Sequence, residues 1–320
     1  MWQYGRRLSI TVGCITILIL LYFLTIDPPI WPGNRGLGLD VSQSPPDQES
    51  EQPNSTLSDH PKCGVTKVSM LYGAHRFPQL EDALRTHERH SKRFGCSFLK
   101  LEHDITTRKM YSKQYFLMSI MLQELAKPVE ERQQWLMWVD ADSIVVNAAL
   151  SPEVFLPPDH LKDVYALVTA DQNGFNAGIF YIRVHPSSID LLTQTVGYPL
   201  FHPDEDLGWF GEQAAMANVI KSIEASSNES AYPGIVWMPR LWFNAYQTEH
   251  AFEGEPGSAL VHFAGLAETR LMHMSRWLDE LEANQAKWEK PLHETFYEGA
   301  IAEFWKDFEA NATAQARRIA

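Results

Sequence analysis

The segment Trp135-Leu136-Met137-Trp138-Val139 is an unbroken apolar run of strand length, and Asp140-Ala141-Asp142 follows it at once. A strand with one face in water alternates apolar and polar residues. A run without alternation is covered on both faces, as in sheets sandwiched between helices. The flanking sequence repeats strand and helix signals in turn. Residues 68–72 are β-rich and end at Gly73, residues 79–94 have helical spacing closed by Gly95, and residues 97–101 read as strand. Residues 112–126 read as a helix whose Tyr115, Met118, Met121, Leu122 and Leu125 share one face. Further strands are expected at 165–169, 178–184, 235–238 and 259–263, with helices at 187–195 and 212–220. This alternation predicts an α/β domain with a Rossmann-like, mostly parallel sheet flanked by helices. Open sheets of that kind bind ligands beyond the carboxyl ends of their strands, which is where Asp140 and Asp142 emerge. From residue 275 onward the chain is strongly helical and amphipathic. Trp277, Leu278, Leu281, Trp288, Phe304 and Phe308 are expected to dock this tail across the domain.

The N-terminus is built for a different solvent. Residues 8–26 carry no charge, about the length a bilayer needs, with Arg6 and Arg7 before them and Asp27-Pro28-Pro29 after. The positive-inside bias predicts a cytoplasmic tail at 1–7, a transmembrane signal anchor at 8–26 and a lumenal remainder. A cleaved signal peptide is the competing reading, although no small-x-small pattern precedes the prolines. Residues 27–62, rich in Pro, Gly, Ser, Gln and acidic side chains, read as a flexible stem. Residues 63–320 then form one domain, since a chain of 320 residues that is 45% apolar is able to bury one sizeable core. Acceptor sequons at Asn54-Ser55-Thr56, Asn228-Glu229-Ser230 and Asn311-Ala312-Thr313 suit a lumenal chain. Of three cysteines, Cys14 lies in the apolar run, so Cys63 and Cys96 are either bridged or both free thiols. A net charge of -13 excludes a broad phosphate-binding surface and, with it, nucleic acid as a partner.

Four stretches carry candidate chemistry. Asp140 and Asp142 leave a buried strand with no basic residue beside them in sequence, and burying two unpaired carboxylates is costly. A divalent cation with oxygen ligands, Mn²⁺ or Mg²⁺, removes that cost. The stretch Asn173-Gly174-Phe175-Asn176-Ala177-Gly178-Ile179-Phe180 reads as an amide-rich turn opening a strand, suited to a hydroxyl-rich ligand or to ordinary turn chemistry. In Val261-His262-Phe263-Ala264-Gly265 a histidine leaves an apolar strand, either as a metal ligand or as a hydrogen-bonded core residue. Gly211-Glu212-Gln213-Ala214 places a carboxylate and an amide at a helix start, where negative charge is favourable in any case.

Together with the Lys113-containing helix and Phe243-Asn244-Ala245-Tyr246, these stretches resemble, in order and spacing, glycosyltransferase family 34. The resemblance runs from about residue 67 to 276. That family includes fungal galactosyl- and mannosyltransferases and plant xyloglucan xylosyltransferases. The resemblance implies a GT-A fold, Golgi residence as a single-pass type II membrane protein, and retaining, Mn²⁺-dependent transfer of a hexose from a nucleotide sugar. By similarity Asp140 and Asp142 face the donor ribose and the metal, and His262 completes the metal site. Gln213, with Glu212 beside it, lies near the anomeric carbon. Asn176 and Gly265 contact the donor, and Asn173, Phe175 and Asn244 contact the acceptor. One departure is that Leu266-Ala267-Glu268 follow the His-Phe-Ala-Gly stretch where some relatives carry a basic residue, which leaves Lys113 and Arg270 as candidate diphosphate clamps. UDP-galactose is the first expected donor, with GDP-mannose and UDP-xylose as alternatives and a glycan or glycoprotein as acceptor. Association with itself or with other glycosyltransferases is an open expectation. Two other classes compete. One is a phosphatase of the haloacid-dehalogenase type, with Asp140 as nucleophile; the other is an inactive scaffold subunit of a glycosyltransferase complex.

Overall fold

The computed structural model describes residues 63–226 and 234–319. The expected tail, anchor and stem and the sequons at Asn54 and Asn228 lie outside the described residues. Among the described residues, no helix is long and apolar enough to cross a membrane. In chain order the elements are β1 (Val65–Met70), α1 (Pro78–Arg93), β2 (Ser97–Leu101), α2 (Ser112–Leu125), β3 (Trp135–Val139) and β4 (Ser143–Val145). Then follow β5 (Ala166–Asp171), β6 (Gly174–Arg183), α3 (Pro186–Phe201), α4 (Gly211–Ser226), β7 (Ile235–Trp237) and α5 (Arg240–Phe243). The last are β8 (Ala245–Tyr246), β9 (Leu260–His262), α6 (Arg270–Trp288) and α7 (Tyr297–Ile319).

Strand β3 is buried along its whole length, and successive residues feed two separate cores. Leu136 and Trp138 face α2, α3 and α4, where they meet Leu117, Met121, Leu191, Leu192 and Met216. Trp135, Met137 and Val139 face the opposite side, against Phe155, Phe243, Tyr297 and Trp305. Each large apolar side chain fully removed from water contributes roughly 1.5–3 kcal/mol relative to exposure, so the strand cannot slip register without turning both cores inside out. The main sheet has the order β2-β1-β3-β6-β5-β7. Strand β1 is parallel to β2 and β3, and β5 is parallel to β7. The mostly parallel sheet has one reversal: β6 runs antiparallel to both its neighbours. The cause is local, since Asp171 pairs with Gly174 across a two-residue hairpin turn and Gly174 takes φ +97°.

Three sequence readings are corrected. β6 starts at Gly174, so Asn176 and Ala177 lie inside the strand, not in a turn before it, because the hairpin tightens at residues 172–173. On α2 the face against the sheet is Leu117, Ile120 and Met121, while Leu122 is exposed; the helix is apolar nearly all round, so spacing alone could not choose a face. A second sheet, β4-β9-β8, was not foreseen, because its strands are only two or three residues long. Ile144, Val146, Val261 and Phe263 of this region pack on Leu80, Ala83 and Leu84 of α1 and on Met274, Trp277 and Trp288 of α6. The C-terminal helices thus cover the domain as expected, with Phe304 and Phe308 against the core beneath β3.

A buried polar brace ties α1 to β4. The Thr86 hydroxyl accepts from Val145 N–H at 3.0 Å. His87 Nε2–H points at the carbonyl and hydroxyl oxygens of Ser143, 3.1 Å from each, and the Ser143 hydroxyl donates to Asp140 O at 2.6 Å. His90 Nε2–H donates to Leu150 O at 2.7 Å, so its Nδ1 accepts from Lys67 Nζ. Lys67 is almost wholly buried. Burial pushes its ammonium down to about 7, and burial, aided by the Lys67 charge, holds His90 down at about 3.

Cys63 and Cys96 form a disulfide across a sequence separation of 33, tying the entrance of β1 to that of β2. A loop of that length restricts the unfolded chain by roughly 3–4 kcal/mol in the chain-entropy account. The double variant Cys63→Ser, Cys96→Ser should therefore lose about 3 kcal/mol in urea unfolding. Lys67 makes a second prediction. Below about pH 7 its ammonium is present in the folded and the unfolded chain, and the fold carries the cost of burying it. Between about 7 and the ordinary 10.5 only the unfolded chain holds the proton, so stability rises with pH over that window. Lys67→Met should flatten that rise, a difference on the order of a few kcal/mol between urea midpoints measured at pH 7 and pH 10.

Candidate metal centre and its surroundings

The chain crosses from the large sheet to the small one through Asp140-Ala141-Asp142. Asp140 N–H donates to Gly178 O at 2.8 Å, extending the β3–β6 ladder by one rung. Three residues on, β4 pairs antiparallel with β9 in a register that sets Ser143 opposite His262, and Phe263 N–H donates to Asp142 O at 2.9 Å. Those rungs bring one ligand atom each from Asp140, Asp142 and His262 within 4.8 Å of one another. His262 Nε2 lies 3.4 Å from Asp142 Oδ1.

The direction in which His262 presents its ring follows from a backbone hydrogen bond. Gly178 N–H donates to Asn176 Oδ1 at 3.0 Å, which makes that atom an oxygen. Asn244 Nδ2 donates to Asn176 Oδ1 at 2.9 Å and to Thr169 Oγ1 at 2.8 Å, so Asn244 Oδ1 is an acceptor. It lies 2.8 Å from His262 Nδ1, which therefore carries the hydrogen. Nε2 is left facing the carboxylates, where a proton shared with Asp142 and a cation compete for one lone pair. Space for the ring comes from Gly178: a Cβ there would sit 2.3 Å from His262 Cε1.

Both carboxylates have a cation beside them that the linear sequence does not place there. Lys113 Nζ, buried against the central strands β3 and β6, is 3.2 Å from Asp140 Oδ1 and donates to Ala177 O at 2.7 Å, with the Trp138 ring 5.0 Å away. The Trp138 indole N–H donates to Asp140 Oδ1 at 2.7 Å. Arg270, the first residue of α6, brings Nε to 3.2 Å from Asp142 Oδ2. Burial alone would favour the neutral acid at Asp142, but the hydrogen bond and charge of His262 and the charge of Arg270 outweigh it and hold the carboxyl down at about 2. Two carboxylates and one imidazole nitrogen fit a divalent transition metal better than Mg²⁺, which prefers an all-oxygen shell. Asp140, Asp142 and His262 are the residues that would hold it.

The other sequence candidates fall into three groups. Gln213 borders the centre, its Oε1 accepting from Ala177 N–H at 2.9 Å; one lone pair of that oxygen remains open. Gly265, with φ +74°, and Ala267, with φ +40°, form the left-handed turn that aims α6 and Arg270 at Asp142. Asn176 and Asn244 are buried and spend their amides on the chain that orients His262. Phe175, expected at the acceptor, is a core residue packed against Phe180 and Trp237. Asn173 sits exposed at the hairpin tip, its N–H donating to Asp171 Oδ1. Glu212 lines a separate open groove with Tyr111 and Trp209.

Sequence reasoning missed the outer support of the site. Tyr246 OH donates to Asp171 Oδ2 at 2.8 Å, and its ring lies edge-on to His262. Arg240 covers Tyr246 at 4.1 Å from the ring centroid and forms two hydrogen bonds with Glu253, which also accepts from Tyr246 N–H. Burial, then the Asp171 hydrogen bond, pushes the Tyr246 hydroxyl up, keeping it a donor. No spacing links Asp171, Arg240, Tyr246 and Glu253; only the meeting of the two sheets does.

No family model matches the sequence, and no curated protein matches it. Among solved structures, the fold is similar to a glycosyltransferase involved in glycosylation of the major capsid of PBCV-1, at 14% identity over 66% of this chain and 98% of that chain, with a TM-score of 0.47. It is also similar to the glycosyltransferase GlyE of Streptococcus pneumoniae TIGR4, at 13% identity over 70% of this chain and 66% of that one, with a TM-score of 0.43.

The geometry makes Gly178 and Asn244 supports of His262, although neither would itself be a ligand. Asn244→Leu should weaken Mn²⁺ binding by about 10–100-fold, the usual cost of losing the partner that orients a ligating histidine. Gly178→Ala should weaken it at least as much by displacing the ring. Titration calorimetry of the purified full chain with Mn²⁺ measures both.

Proposed function

We propose that this chain is a glycosyltransferase of family 34, moving a hexose with retention from a nucleotide sugar to a glycan or glycoprotein acceptor. The observation that carries this reading is the convergence of Asp140, Asp142 and His262 Nε2 at the carboxyl end of a buried strand, flanked by Lys113 and Arg270. Cleaving a sugar–phosphate bond leaves negative charge on the nucleotide diphosphate. When bound, a divalent cation, Mn²⁺ in this reading, supplies Lewis-acid neutralisation of that charge. Lys113 and Arg270 add two fixed positive charges at the same place, held by carboxylates that a diphosphate would share. These cations are what the 266–268 stretch lacks, and their presence favours an active enzyme over a scaffold.

Retention through a covalent intermediate would need a carboxylate nucleophile at the anomeric carbon. By the family resemblance that position belongs to Gln213, whose Oε1 accepts from Ala177 N–H, and Glu212 lines the neighbouring groove. We therefore favour front-face transfer, in which Gln213 Oε1, anchored by Ala177 N–H, orients the sugar while the leaving phosphate takes the acceptor proton. The phosphatase reading fits less well, since Asp140 closes the third strand in chain order rather than the first. UDP-galactose is the first donor choice, with GDP-mannose or UDP-xylose as alternatives. A Golgi-lumenal domain behind a type II anchor is supported by the uncharged run 8–26 and by the Cys63–Cys96 disulfide, which belongs in an oxidising compartment. Assembly with other glycosyltransferases belongs to the same reading.

Full-length protein should hydrolyse or transfer from one of the three nucleotide sugars only with Mn²⁺ present, and Asp142→Asn should abolish this. Gln213→Ala should lower kcat by about 100-fold or more while leaving the thermal shift produced by Mn²⁺ with UDP or GDP nearly intact. Indifference to Mn²⁺ and to all three donors would overturn the reading.

A further inference from the structure

An open groove of about 920 Å³ runs past the start of α4. Its lining includes Trp209, Phe210 and Met110, which are 85%, 65% and 45% exposed. Water is a poor environment for three large apolar side chains held side by side, and such patches mark binding surfaces. The patch is not uniformly apolar. Arg108, Glu212 and the Tyr111 ring lie along the same groove. A lipid chain or an apolar helix would leave those charged groups desolvated without partners. A pyranose ring matches the mixture, because its C–H face stacks on an aromatic plane while its hydroxyls reach outward to charged groups such as Arg108 and Glu212.

The groove and the proposed transfer site border the same first turn of α4. Glu212 precedes Gln213, and Tyr111 lies two residues before Lys113, with its hydroxyl 3.4 Å from Gly211 O. The segment that presents Trp209 is held in place. Glu205 accepts from Tyr198 OH at 2.8 Å and from Asn218 Nδ2 at 2.7 Å, clamping α3 to α4, and Gly208 N–H donates to Asp206 Oδ1 at 2.9 Å where the chain turns with φ +65°. At about 920 Å³ the groove stands near the upper end of the range for small-molecule sites, with room for more than one sugar ring.

We propose that this groove is the acceptor subsite, that it takes an oligosaccharide of several residues rather than a single sugar, and that Trp209 is its stacking platform. The proposal rests on the transferase reading above and adds the size class of the acceptor and a specificity-determining residue.

The test uses full-length protein and linear pentasaccharides of mannose, glucose and galactose. Without donor, at least one pentasaccharide should change the tryptophan fluorescence saturably, and the matching monosaccharide glycoside should do so only at much higher concentration. In transfer assays Trp209→Ala should raise KM for that pentasaccharide about tenfold or more and leave KM for the monosaccharide glycoside nearly unchanged. Trp209→Tyr, which keeps a stacking ring, should recover most of the loss. Trp209 is largely exposed, so unfolding curves should be the same for both variants. Equal changes in both KM values, or no change, would overturn the proposal. So would failure of every pentasaccharide to bind a protein that shows Mn²⁺-dependent donor hydrolysis, and so would a fluorescence response to phosphatidylcholine vesicles but to no sugar. Pentasaccharide binding lost in Trp209→Ala, in a protein without donor hydrolysis, would uphold the groove and sink the transferase reading instead.

Discussion

The antiparallel pairing of β4 with β9 is the constraint on which the rest of the site depends. Three residue pairs, Ser143 with His262, Ile144 with Val261 and Val145 with Leu260, hold together two segments far apart in sequence. Slipping that register by one residue would turn His262 to the opposite face, away from Asp142, because strand side chains alternate. The register is specified from below: Ile144, Val261 and Phe263 are fully buried against α1 and α6, and the Thr86 and His87 hydrogen bonds fasten β4 to α1. Hydrophobic burial thus does for the small sheet what its short strands cannot do for themselves.

Around that register the electrostatics are balanced locally. Asp140 is matched by Lys113 and Asp142 by Arg270, with a histidine whose Nδ1 is committed to Asn244. Buried charges persist only when paired, and here each pair keeps one carboxylate oriented without burying its full ligand capacity. The neutral supports, Trp138 N–H on Asp140 and the Asn176–Asn244 amide chain, use donors and acceptors that do not titrate. These neutral groups orient Asp140 and His262 at any pH, while the titratable brace of Lys67, His87 and His90 fastens β4 to α1.

The open groove and the metal centre divide the work between two kinds of surface. The centre is small, polar and mostly buried, built on strand ends that the cores cannot release. The groove is broad and aromatic, and the segment before α4 that borders it is pinned by a few side-chain hydrogen bonds and by Leu207 packed against Tyr111, Val196 and Ala215. Both meet at the first turn of α4, where Glu212 faces one and Gln213 the other.

Much of the layout was legible from the amino-acid order. β2 and β3 fall where hydrophobic patterning puts them, α1 and α2 lie within a residue of their expected bounds, and Asp140, Asp142, His262 and Gln213 stood out by chemical type and position. Those features are local: a run of apolar residues long enough to be a strand, or a carboxylate at its end, is decided within a few residues of itself. Tertiary structure alone decided the rest. It reversed β6 and split off the second sheet, turned Phe175 inward, committed Asn176 and Asn244 to the amide chain that orients His262, and set Lys113 and Arg270 against the two aspartates. Each of these depends on which distant segment arrives at a given face, and short strands, single amides and lone cations carry no periodic signal that says so. The order of residues named the atoms capable of chemistry; the packing of two sheets against α1 and α6 determined which of them meet.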